Sequence, residues 1–245
     1  MTDYIEFIET QTGKKIEEKN LLKTLELAKE TNQVWTDILN LCKNIPSPLN
    51  CADRFTTMAP IVTQRGWKST LEVYKKVEEE VKNRVEHSIG AIKQEKVRLL
   101  WDNIAIWFYL HPLFNRLAQK GVVFPADTYT HSWGWKFNTL QMDDALDTLS
   151  KGYSQIYLNH DLIYRIGLIT DLINDFQIDG FILHSNRSCK RYSMGMNSYK
   201  NKITEITGKP GIIIDGDMVD SRNFSEEQTW TRLEAFIELI ESYKN

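Results

Sequence analysis

Gly180-Phe181-Ile182-Leu183-His184-Ser185-Asn186-Arg187-Ser188-Cys189-Lys190 reads as a strand that runs straight into a polar, basic turn. Its apolar run does not alternate, the pattern of a strand covered on both faces. Gly211-Ile212-Ile213-Ile214-Asp215 repeats that pattern, and Val97-Arg98-Leu99-Leu100-Trp101 and Val122-Val123-Phe124 precede it. Helical periodicity fills the intervals: Trp107 to Leu117, Leu140 to Leu149, about Leu158 to Phe176, about Tyr192 to Ile206, and Glu226 to Ser242. Strands separated by helices imply right-handed crossovers and a parallel sheet. Residues 96–245 are therefore expected to form an α/β domain of the Rossmann-like or flavodoxin-like kind. Its doubly wound parallel sheet has about four strands, with helices on both faces.

Upstream of residue 95 the chain reads as a helical segment packed against that domain. An apolar stripe starts at Leu21, Leu22 and Leu25 and continues through Val34, Trp35, Ile38 and Leu41. Pro46 and Pro48 break it, because proline lacks the amide donor and biases its predecessor away from helix. A shorter helix is expected from Asp53 to about Arg65. A third runs from Trp67 to about Ile92, with Leu71, Tyr74, Val77, Val81 and Val85 along one face.

The chain has 245 residues, 42% hydrophobic and 26% charged, an ordinary globular composition. A formal net charge of −3 supplies no basic excess for nucleic acid or for an anionic membrane surface. No apolar run approaches the roughly 18 residues that span a bilayer. The acidic first ten residues do not read as a signal peptide. Three cysteines are too few for a disulfide framework, so a reducing cytoplasm is expected.

Ligands of open parallel sheets bind beyond the carboxyl ends of the strands. Four loops qualify: Asp102 to Ile104, Ala126 to Trp133, Ser185 to Ser193 and Asp215 to Arg222. The third stands out. Cys189 follows a buried strand, precedes a helix and is flanked by Arg187, Lys190 and Arg191. A helix start and nearby cations favour thiolate, the form that ligates metal or attacks an electrophile. A lone cysteine is more often a packed structural thiol, but the basic, polar surroundings argue against that here. Cys42 lies on the first apolar stripe and reads as core; Cys51 reads as a loop residue without a second ligand at metal-site spacing. Convergence of all three cysteines on one metal is an open alternative. His184 reads as a hydrogen-bonded strand-end histidine. Asp215, Asp217 and Asp220 could bind Mg²⁺, but the simpler reading is that they satisfy turn amides and pair with Arg222 or Arg232. Trp133 and Trp135 either wall a ligand pocket or fill core. No G-x-G-x-x-G, P-loop or G-x-S-x-G element is present.

Several separated motifs, in order, resemble a known family. They are Asp179 to Lys190, then Gly208-Lys209-Pro210 before a strand ending Asp215-Gly216-Asp217, then Asp220-Ser221-Arg222, then Thr231-Arg232-Leu233-Glu234-Ala235-Phe236. Together they resemble the C-terminal domain of the 2-hydroxyacyl-CoA dehydratase and benzoyl-CoA reductase family. Leu99-Leu100-Trp101-Asp102 and Tyr129-Thr130-His131-Ser132-Trp133 are similar to its middle domain. The resemblance implies a [4Fe–4S] cluster with Cys189 as a metal ligand. Ser185, Asn186, Arg187 and Ser188 would line the cluster and the acyl-CoA site; no catalytic acid or base is assigned. It implies a homologous second subunit in a heterodimer, and an ATP-dependent iron–sulfur activator protein that injects one electron to give a thioester ketyl. The family's other two cluster cysteines lie in an upstream α/β domain with no counterpart here, so the implied ligand set of this chain is incomplete. A benzoyl-CoA reductase or double-cubane-cluster subunit is the alternative enzyme, and a non-catalytic partner-docking fragment is the alternative outside enzymes.

Overall fold

The computed structural model describes residues 1–137 and 144–244, the side chain of Asn223 excepted. Four strands form one all-parallel sheet: β1 (Val97–Asp102), β2 (Val122–Asp127), β3 (Gly180–Asn186) and β4 (Gly211–Gly216), in the order β2-β1-β3-β4. The expected doubly wound sheet is thus formed. Alternation along each strand sends successive side chains to opposite faces. Leu99, Trp101, Ile182 and Ile214 enter one core, while Leu100, Phe181 and Leu183 enter the other. Gly211 is required at the β3–β4 contact, since a Cβ there would stand 2.2 Å from the Phe181 ring.

The first core is roofed by α6 (Leu110–Gln119) and α12 (Glu226–Lys244). It continues into the N-terminal helices, α2 (Glu18–Leu41), α3 (Cys51–Thr57), α4 (Ala59–Thr63) and α5 (Lys68–Glu86). The second is roofed by α9 (Leu162–Asp175) and α11 (Met196–Thr207). The remaining α-helices among the described residues are α1 (Thr2–Thr12), α7 (Thr128–His131), α8 (Ala145–Ser154) and α10 (Lys190–Ser193). Helix α1 buries no residue and has no forerunner in the apolar stripe that begins at Leu21.

The helix expected from Trp107 opens as a 3-10 turn (Trp107–Tyr109) before α6, and three more are broken, each for a local reason. The segment from Asp53 is two helices, with Pro60 in the first turn of the second. The stretch from Leu158 is a 3-10 turn (Tyr157–Asn159) followed by α9, which Asp161 caps through the Tyr164 amide. The stretch after Tyr192 is α10 and α11, parted by Gly195 at φ 78°. Of the helix expected from Leu140 to Leu149, residues 140–143 lie outside the described residues; from Ala145 the rest belongs to α8, which runs on to Ser154.

Cys51 was expected in a loop. It opens α3 instead, because Asn50 and Asp53 form a capping box around it. The Asn50 Oδ1 that caps this helix also accepts from the Phe124 amide at 3.1 Å, tying α3 to β2. Beside it the Arg54 guanidinium pairs with Asp127 at 2.8 Å, both side chains wholly buried. Arg54 also donates to the Phe124 carbonyl at 3.2 Å and to Cys42 Sγ at 3.5 Å. Removing one partner of such a pair strands a buried charge. Asp127→Asn is expected to destabilise the chain by about 3–5 kcal/mol, read as a lowered urea midpoint with unchanged slope.

Candidate functional site at the carboxyl ends of the strands

The strand order reverses direction between β1 and β3, so the crevice at their carboxyl ends is where this sheet type binds ligands. Asp102 ends β1 with no exposed surface and accepts three hydroxyl bonds: Thr128 Oγ1 at 2.6 Å, Tyr199 at 2.7 Å and Tyr157 at 3.3 Å. Burial raises its pKa, and these hydroxyl bonds oppose the rise. The Arg165 guanidinium lies over the rings of Tyr157, Tyr199 and Tyr192 at 4.9, 5.1 and 5.9 Å. It donates to the carbonyls of Arg191 and Tyr192, so the same cation holds the helical turn that follows Cys189.

Asn103, at φ 91°, bridges β1 to β3 by donating from Nδ2 to the His184 carbonyl at 2.6 Å. His184 is fully buried, and its Nδ1 sits 2.8 Å from the Ile104 carbonyl, which assigns the proton to that nitrogen. The histidine is hydrogen-bonded, as expected, yet its Nε2 is buried with no partner among the described residues, and so is the Nδ2 of Asn186. Burial pulls His184 down to about 4, against the pull of the Ile104 carbonyl.

Cys189 is half-buried at the rim, on the side of the α9–α11 core. Its amide donates to the Asn186 carbonyl at 3.2 Å, and the Ser188 amide to Asn186 Oδ1 at 3.2 Å. The Arg187 amide donates to the Gly216 carbonyl at 3.1 Å, and the Ser188 hydroxyl donates to Asp217. The loop is thereby pinned to β4. Arg187, Ser188 and Lys190 are exposed beside the thiol, while Ser185 is half-buried and Asn186 fully buried beneath it. Tyr129, on α7 just after β2, has its phenol pushed up by burial and by the Asp127 carboxylate.

The Ser188 hydroxyl and the amides of Val219 and Asp220 hold Asp217 at about 2. Asp220 pairs with Arg222 at 2.7 Å. These acids therefore satisfy a turn, and among the described residues no group of three metal-binding side chains is assembled. Arg232 goes instead to the Ile213 carbonyl. The alternative in which three cysteines converge on one metal is not formed. Cys42 and Cys51 have no exposed surface, burial pushes both thiols up, and both lie against Arg54. A cluster held by three thiolates does not fit the thiols of this chain alone.

Sequence reading missed the Asp102 hub, because its hydroxyl donors lie 26, 55 and 97 residues away along the chain. The one available signal was an acid closing an otherwise apolar strand.

The fold is that of α/β proteins whose open parallel sheet has a switch point between two central strands. A family model described as 2-hydroxyglutaryl-CoA dehydratase, D-component, matches residues 1–240, and the chain belongs to that family. The chain is 30% identical over 242 residues to the alpha subunit of (R)-2-hydroxyisocaproyl-CoA dehydratase from Clostridioides difficile, covering 98% of this chain and 58% of the relative. It is 30% identical over 236 residues to the alpha subunit of (R)-2-hydroxyglutaryl-CoA dehydratase from Acidaminococcus fermentans, covering 96% and 48%. It is also 29% identical over 226 residues to a subunit of benzoyl-CoA reductase from Thauera aromatica, covering 88% and 52%. The chain thus spans about half the length of these relatives. No helix among the described residues is long and apolar enough to cross a membrane.

The depressed pKa of His184 carries a pH signature. Between about 4 and about 6.5 the unfolded chain holds a proton on this residue that the folded chain does not. Its contribution is therefore complete above about pH 6.5 and is lost as pH falls towards about 4, by up to roughly 1.4 kcal/mol per pH unit. The difference in melting temperature between pH 7 and pH 5 is expected to shrink in His184→Asn.

Proposed function

We propose that this chain is part of an alpha-type subunit of an (R)-2-hydroxyacyl-CoA dehydratase, a lyase that removes water from a 2-hydroxyacyl thioester. Residues 96–245 form the α/β domain that presents Cys189, and residues 1–95 form the helical segment that buttresses it. Cys189 supplies one thiolate ligand of a [4Fe–4S] cluster whose other ligands come from outside these residues. Arg187 and Ser188 face the acyl-CoA, while Ser185 and Asn186 shape the floor beneath the thiol. A homologous second subunit completes the enzyme in a reducing cytoplasm. An ATP-dependent activator delivers one electron that turns the thioester carbonyl into a ketyl; hydroxide leaves from the neighbouring carbon, a proton is then lost from the next, and the electron is handed back, so water is eliminated with no net reduction.

The observation that carries this reading is the contrast among the three thiols. Only Cys189 reaches the surface, and it does so at the carboxyl rim, flanked by cations, while Cys42 and Cys51 are sealed in the core. The basic side chains of Arg187, Lys190 and Arg191 suit a thiolate and the phosphates of a CoA ester alike. The Nε2 of His184 and Nδ2 of Asn186, buried with no partner among the described residues, lie on the strand that leads to the thiol. Likeness to the Thauera benzoyl-CoA reductase chain supports a second reading, in which the same rim serves a reductase acting on an aromatic thioester.

Anaerobic reconstitution with iron and sulfide, beside the partner subunit, tests the ligand role. Iron is expected to bind and to fall by well over half in Cys189→Ala, with Cys42→Ala and Cys51→Ala unchanged in iron per folded chain. Equal iron in Cys189→Ala and in the parent chain would leave the partner-docking reading in its place.

A further inference from the structure

Beyond α7, Trp133-Gly134-Trp135-Lys136-Phe137 lies against α2. Asn32 clamps the Trp135 backbone, donating to its carbonyl at 2.5 Å and accepting from its amide at 2.8 Å. The Trp135 ring is fixed from several sides. The Arg65 guanidinium stacks on it at 3.8 Å, and the Tyr153 and Phe137 rings approach at 4.8 and 5.6 Å. Gly152 lets α8 press in, since a Cβ there would come within 2.7 Å of the indole. Against this aromatic bed opens a cavity of about 310 Å³, at the small end of the range for organic ligands. Leu25, Ala28, Val62 and Leu149 complete its apolar wall, and Trp67, 59% exposed, stands at its rim.

The polar groups of the lining are unbalanced. Arg65 spends three of its five N–H groups, on the carbonyls of Ile61 and Trp133 and on Asn32 Oδ1. No carboxylate among the described residues pairs with it, and the ionisable groups that act on it are the phenols of Tyr153 and Tyr74. Burial pulls it down to about 10, which leaves it a cation at neutral pH. The indole N–H groups of Trp133 and Trp135 are buried without a partner among the described residues. The lining thus has one positive charge in excess, around apolar walls. Such a charge costs free energy until an anion meets it. A planar carboxylate matches the two spare guanidinium N–H groups, whereas a heavily hydrated phosphate dianion does not suit these walls.

We infer that this cavity binds a free carboxylic acid with a branched aliphatic or aromatic body, its carboxylate on Arg65 and its hydrocarbon against Leu25, Val62 and the tryptophans. The site is separate from the Cys189 rim, because no residue of β3 or α10 lines it. A thioester lacks the free carboxylate, so CoA esters of the same acids are not its ligands.

Titration calorimetry of the full chain with 4-methylpentanoate and 3-phenylpropanoate, each beside its primary amide, tests the assignment. The acids are expected to saturate with Kd below about 1 mM, and the amides to bind at least about tenfold more weakly. Tryptophan fluorescence should change in parallel. Arg65→Gln should remove the preference for acid over amide, and Cys189→Ala should bind as the parent does. Equal affinity for acid and amide in the parent chain, or no saturation by about 10 mM, overturns the site even if Arg65→Gln does not fold. Loss of binding in Cys189→Ala overturns its separateness, whereas an iron-free chain that still prefers the acids supports it.

Discussion

The buried pair of Arg54 and Asp127 is the constraint on which the rest of the architecture depends. Its guanidinium grips Asp127 Oδ2 at the end of β2 from α3; the same oxygen accepts from the Thr130 hydroxyl, while Oδ1 caps α7 by accepting from the Thr130 amide. One carboxylate therefore fixes the N-terminal helices, the sheet and the first turn beyond it. With no exposed surface on either partner, solvent screening cannot soften the interaction, so its geometry is imposed on all three elements at once. Asn50 reinforces it by capping α3 and accepting from β2 with the same oxygen.

A second polar hub repeats this logic at the neighbouring strand. Among the described residues Asp102 has no cation in direct contact; hydroxyls surround it, and Arg165 stands behind the tyrosines. The two hubs occupy adjacent strand ends and differ in kind. The one at β2 joins halves of the chain, and the one at β1 holds α11 and the turn after Cys189. The thiol is thereby carried on a loop whose main-chain groups are spent on Asn186, Gly216 and Arg165. A loop so heavily bonded presents its cysteine in one place.

Much of this was legible in the residues. The non-alternating runs at Phe181 and Ile212 declared a sheet covered on both faces, and both cores are there. The choice of Cys189 over Cys42 followed from context: one stood on an apolar stripe, the other after a strand among cations. Cys51 misled because Pro48 suggested a loop, while the capping box of Asn50 and Asp53 starts a helix three residues later. Helix ends at Pro60, Asp161 and Gly195 were blurred because periodicity continues across such breaks. The two hubs were illegible for a different reason. Arg54 and Asp127 lie 73 residues apart, and no local pattern announces a pairing made only by the fold.

The closeness of β4 to His184 reaches beyond this molecule. A Cβ on Gly216 would stand 3.0 Å from the imidazole Nε2 and 3.2 Å from Ile106. The ring cannot retreat without leaving the Ile104 carbonyl that sets its tautomer. Positions 184 and 216 are therefore sterically coupled: a side chain at 216 would press on the imidazole by a few tenths of an ångström, and a smaller residue at 184 would relieve that contact, so the two positions are expected to change more readily together than singly.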